Sequence, residues 1–346
     1  MPRLPLAFLA VLALLSGVLA GLARAGWEMP AFAVAQVGRH AALMIAVFFG
    51  TVIGLERAVA LGRLWPYFAP LFAGLAGLAM LAWLPPMWAP VLLTAAASVF
   101  VCGNLWVLVT QPTAFAFVLL LGGASWLAGN LLWLVAGDAS AALSWWFAFL
   151  VLTIAGERLE LTRLVPMSAV ARLMFFACVA VILAGCVATV VWGNGGWRVF
   201  ATGLVALAAW LAKFDVARRN AGQQGLTRYI AVCLLSGYVW LAVAGLAGLA
   251  GGFESGHAWH DAAIHALALG FVFAMVFGHA PIILPAVARV KVGFHPVFYI
   301  PLALLHLTLA WRVGGAMANA LTLLTFVGVM AFGIARGRMR VSLPPT

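Results

Sequence analysis

Apolar residues run through this chain in long blocks, not at the spacing of a half-buried helix or strand. Blocks of about 20 residues, enough to cross hydrocarbon as a helix, recur from end to end. They predict twelve spans, at 4–22, 37–56, 67–84, 90–109, 114–136, 141–162, 169–192, 197–214, 228–249, 259–284, 296–311 and 318–335. The connections between them are short. The alternating strands of a membrane barrel are absent. Backbone groups in lipid must be paired within their own segment, so each span is expected to be helical. The expected fold is an all-α integral membrane protein of about twelve transmembrane helices, one polytopic domain over residues 1–346.

Composition agrees with this pattern: 66% of residues are hydrophobic, 8% are charged, and the mean hydropathy is +1.14. The net charge of +11 does not point to nucleic acid, because the basic residues sit between apolar blocks. There they set orientation. Alternating the loops between sides places fifteen of them, including Arg57, Arg163, Arg218, Arg336 and Arg340, on one side. Only four, Arg24, Arg39, Arg198 and Arg312, fall on the other. That split puts both termini in the cytoplasm and membrane lipid all around the chain. The first block has a basic start and an Ala23-Arg24-Ala25 end, yet its apolar run exceeds a usual signal-peptide core, so a retained helix is expected. Cys102, Cys178, Cys186 and Cys233 all fall inside spans, with no close pair to make a thiolate metal site.

Two features look like chemistry. At the cytoplasmic ends of spans two and six, Gly54-Leu55-Glu56-Arg57 and Gly156-Glu157-Arg158 place similar residues four spans apart. They read either as an internal repeat or as interfacial ion pairs, Glu56 with Arg57 and Glu157 with Arg158. The second feature is the stretch 254–285, which holds four of the seven histidines, His257, His260, His265 and His279, with Glu254 and Asp261. Ionisable groups at membrane depth face the bundle interior and mark sites.

Depth sorts the histidines. At helical rise, His40 lies about 24 Å above Glu56 in span two, and His265 about 24 Å above Pro281 in span ten. Two imidazoles at one level on different helices are what six-coordinate haem iron requires. Asp261, one turn before His265, is placed to hold that ring's second nitrogen. His257 and His260 either hold a second metal, such as copper, with Glu254 or Asp261 nearby, or form a solvated rim. His279 lies about 21 Å deeper than His265 and reads as polar lining of the cytoplasmic leaflet. His295, before Pro296, reads as the cap of span eleven. His306 reads as a hydrogen-bonded core histidine or a further ligand. Asn104 and Asn130 are expected to make hydrogen bonds between helices.

The span pattern, the histidine at the outer end of span two and the segment 265–280, HALALGFVFAMVFGHA, resemble the NnrS family. Those are bacterial inner-membrane haem proteins connected with nitric oxide and denitrification, and copper has been associated with them. The resemblance implies haem b, a role in handling or resisting nitric oxide, and electron-transfer or denitrification proteins as partners. A more distant likeness is to the catalytic subunit of haem-copper oxidases, whose low-spin haem is held from spans two and ten; here those histidines are His40 and His265. Residues 141–162 and 169–192 contain no histidine, so the copper ligands such enzymes take from spans six and seven are missing. Reduction of oxygen or nitric oxide at an oxidase-type binuclear centre is therefore not expected. Two other classes stay open: a transporter or channel with a histidine-lined pathway, and a scaffold without its own cofactor.

Overall fold

The computed structural model describes residues 3–161, 167–311 and 316–339, and every described apolar block is helical. Arg163, Arg312 and Arg340, which contribute to the orientation count, lie outside the described residues. Among the described residues no strand occurs. Among these residues nine helices are long and apolar enough to cross a membrane, and three further helices carry apolar stretches of 10–17 residues. The chain divides into two compact units, Met1–Glu157 and Arg158–Thr346.

The first unit begins with α1 (Arg3–Arg24), then α2 (Ala42–Leu61), the short α3 (Trp65–Leu81), α4 (Trp88–Thr110), α5 (Ala114–Ala136) and α6 (Ala139–Leu161). Arg158, in the last turn of α6, already belongs to the second unit. Thr113 caps α5 by accepting from the Ala116 amide, and Gly137 closes it with φ 71°, a left-handed turn that costs glycine nothing. Asn130 of α5 is fully buried. Its amide donates to Leu93 O of α4 at 2.9 Å, and its carbonyl accepts from Trp146 Nε1 of α6 at 2.9 Å. Asn104 of α4 donates to Leu119 O of α5 at 3.2 Å. Both asparagines thus join helices, as expected, because apolar contact gives little preference between a neighbouring helix and lipid.

The second unit holds α7 (Ala169–Trp192), α8 (Asn194–Phe214), α9 (Gly225–Leu249), α10 (His260–Val287), the short α11 (Pro296–Ala310) and α12 (Ala316–Met339). The α7–α8 hairpin is closely packed because Gly185, Gly196 and Gly203 face backbone of the opposite helix where a Cβ would collide. Its core is aromatic: Phe175 meets Trp210 with ring centroids 4.7 Å apart, and Trp210 Nε1 donates to Ala171 O at 2.7 Å.

Two helices depart from plain α winding. Ala42–Phe49 in α2 and Ala266–Phe273 in α10 are π-helical. His40 precedes the first by two residues and His265 precedes the second by one. A π-segment advances less per residue than an α-helix, so the depths estimated from uniform α rise are too large for both helices. Long π-segments are rare, and where they occur they often accompany functional sites.

Candidate functional site

The histidines separate by what each ring nitrogen does. A metal takes an imidazole lone pair from a nitrogen that carries no proton, while the other nitrogen usually donates to a carbonyl or carboxylate.

His40 meets this condition. Its Nδ1 lies 2.8 Å from Gly17 O of α1, and a carbonyl can only accept, so Nδ1 carries the proton and Nε2 the lone pair. The sequence of α1 makes this possible. Gly17 and Gly21 stand one turn apart, and an added Cβ on Gly21 would lie 2.7 Å from His40 Cε1. Gly17 likewise leaves room for Met44, whose Sδ would be 2.7 Å from a Cβ there. The imidazole is seated in a notch that only glycine leaves open.

His265 meets it as well. Its Nδ1 is 2.8 Å from Asp261 O and 3.1 Å from Asp261 Oδ1. Asp261 thus stands where the one-turn spacing put it, and it directs the lone pair to Nε2. The His265 side chain is 19% exposed and the Asp261 side chain 64%, so the pair sits at an edge, with the carboxylate outward.

Four other histidines have spent their lone pair. His257 Nδ1 accepts from the Trp259 amide at 3.1 Å, and His295 Nδ1 accepts from the Val297 amide at 3.1 Å. His295 is therefore the cap of the turn that opens α11, as expected. His306 Nδ1 accepts from Trp240 Nε1 at 2.8 Å, so its Nε2 carries a proton and is a buried donor, not a ligand. His279 donates from Nδ1 to Met275 O at 2.7 Å and accepts at Nε2 from Arg158 Nη2 at 2.8 Å. Both of its nitrogens are used. His260 is half-buried beside His257, its amide donating to His257 O at 2.9 Å.

Glu254 holds Arg198 at 3.2 Å and Asn194 at 3.0 Å, tying its loop to the start of α8. Among the described residues no three His, Cys, Asp or Glu side chains are grouped as a metal-ligand set. Haem is a different case, since the macrocycle supplies four nitrogens and asks the protein for one or two.

A second polar cluster lies in the second unit, and its acid drew no attention in the sequence. Arg158 is only 4% exposed. Besides its bond to His279, its Nε–H is buried without an acceptor. Asp215, at the end of α8, is 3% exposed; it accepts from the Ala217 amide at 2.6 Å and from Tyr238 OH of α9 at 3.0 Å. Burial raises the Asp215 pKa, opposed by the Ala217 amide, the Arg158 charge and the Tyr238 hydroxyl. The available signal was a single acid between Lys213 and Arg218, in a loop otherwise basic.

Residues 3–335 match the model of a family described as a domain of unknown function, DUF8744. No curated protein and no solved structure matches the chain.

Proposed function

The chain belongs to the DUF8744 family, and we propose that it is a haem-binding, multi-pass membrane protein in which His40 and His265 serve as axial ligands through Nε2. One observation carries this reading. At both His40 and His265 a backbone carbonyl beside Nδ1 fixes the tautomer and puts the lone pair on Nε2. The π-segments that begin beside each of them support it. Haem b would supply an iron able to exchange an electron; with both axial positions filled by imidazole, a diatomic gas such as nitric oxide would bind only in place of one of them. The protein's part is to hold the two rings, Gly17 orienting one and Asp261 the other. The role that follows is the NnrS-like one: handling or resisting nitric oxide in a bacterial inner membrane, with twelve spans and both termini cytoplasmic.

The test is an absorption spectrum of the detergent-purified protein, oxidised and reduced. A low-spin bis-imidazole haem spectrum is expected. His40→Ala and His265→Ala, purified at matched yield, should each lose it, with haem loss or a high-spin species. His306→Ala and His295→Ala should keep it. An unaltered low-spin spectrum in His40→Ala or His265→Ala overturns the assignment.

A second reading is a transporter or channel whose pathway uses the buried Arg158, Asp215, Tyr238 and His279. Intramembrane ionisable clusters of this kind occur in proton relays. A purified protein without any haem absorption would favour it.

A further inference from the structure

One end of the first unit holds a cavity of about 350 Å³, within the range of small-ligand sites. Met80, Leu84, Met87 and Trp133 give it an apolar wall, and Arg39 and Asp138 both line it. The two charges are not paired with one another. Each is instead held in place by its own neighbours. Arg39 Nη1 donates to Met80 O at 2.7 Å and to Gln36 Oε1 at 3.3 Å, and its Cζ lies 5.2 Å from the centre of the Trp83 ring. Asp138 accepts from the Ser140 hydroxyl and from the Ser140 amide, the latter at 2.9 Å. Those donors lower its pKa, so it stays a carboxylate. A fixed cation and a fixed anion therefore share one apolar cavity.

The cavity lies at helix ends, beside Trp83 and Trp88, which are 58% and 49% exposed. Exposed tryptophans mark the headgroup level of a bilayer. Leu84 and Met87, exposed on the same connection, offer apolar surface at the mouth.

We propose that this cavity binds the headgroup of an aminophospholipid, with the phosphate on Arg39 and the primary ammonium on Asp138. The required chemistry is one ammonium and one oxyanion on the same molecule. A free zwitterion carries it too, but the exposed apolar rim favours a ligand with acyl chains. The proposal is independent of the haem reading, because none of its residues is a ligand in that reading.

Native mass spectrometry of the purified protein tests it. Phosphatidylethanolamine, phosphatidylcholine, phosphatidylglycerol and free phosphoethanolamine are titrated separately. Phosphatidylethanolamine should bind about tenfold more tightly than the other two lipids, since each of them lacks the hydrogen-bonding ammonium. Asp138→Asn, a change on an exposed loop that leaves the fold intact, should erase the preference over phosphatidylglycerol while keeping binding of both. Arg39→Gln should weaken all three lipids. Equal binding of the three lipids to the unaltered protein, or a preference that survives Asp138→Asn, overturns the proposal. Free phosphoethanolamine binding as tightly as the lipid overturns the lipid assignment.

Discussion

At the scale of single residues, the environment of an atom decides its chemistry more than the residue's name does. Seven histidines look alike in the sequence. In the structure a carbonyl beside Nδ1 puts the lone pair on Nε2, and an N–H beside Nδ1 puts the proton there. Asp215 makes the same point for acids, and it gives a prediction with a sign. Its folded pKa is raised by burial above the usual carboxylate value. The protonated form is thus the one the fold prefers. The stability this group contributes is full below the unfolded carboxylate pKa and is lost as pH rises through the folded value. Asp215→Asn removes that dependence. Melting temperatures taken from about pH 4 to about pH 8 should show the variant gaining on the unaltered protein as pH rises. A variant that loses ground to the unaltered protein as pH rises, or keeps a constant difference from it, would contradict the assignment.

At the scale of elements, the helices follow from hydrophobicity, but their winding and their partners do not. Nothing in 37–56 or 259–284 announces a π-segment, since those residues are as apolar as any other span. The extra residue per turn shows only when the ladder of hydrogen bonds is traced. Helix pairing is more legible. Asn104 and Asn130 stood out as polar groups inside spans, and both do link helices. Asn130 bonds to two of them, so Asn130→Ala should loosen α5 from α4 and leave Trp146 Nε1 without an acceptor. The expected loss is about 1–2 kcal/mol, read as a shift in the unfolding curve in mixed detergent micelles. A variant that unfolds with the unaltered protein would mean the asparagine contributes nothing net.

At the scale of the whole molecule, the parity of the spans matters most. Among the described residues nine helices are long and apolar enough to cross; of three further apolar stretches, Trp65–Leu81 and Pro296–Ala310 are short, while Thr322–Gly337 is part of a 24-residue helix, Ala316–Met339. A 17-residue helix reaches about 26 Å, short of the roughly 30 Å hydrocarbon core. A shortfall of that size is met by local thinning of the bilayer or by snorkelling flanks. If all three cross, the count is even and both termini share a side. If none crosses, the count is odd and they do not. Orientation by basic residues requires the even count. Reporter fusions should therefore place both termini and the 213–228 loop in the cytoplasm, with residues 254–260 in the periplasm. A C-terminal fusion active only in the periplasm would reduce the number of crossings and void that orientation.

The helical content and the places of the nine long apolar helices among the described residues followed from the sequence alone. Transfer into lipid is an additive property of a local segment, so a window of residues suffices to predict it. The same holds for Asp261 and His265, whose one-turn spacing on a helix brings them together without help from the rest of the chain. Only the tertiary structure decided which neighbour meets each of three histidine rings, because that neighbour comes from elsewhere. It is Gly17 on another helix for His40, Trp240 for His306 and Arg158 for His279. Only the tertiary structure set Arg39 and Asp138 on one cavity, 99 positions apart in sequence. Hydrogen bonds and charge pairs depend on distance and direction to about an ångström, and such placement comes from packing, not from the polarity of either segment.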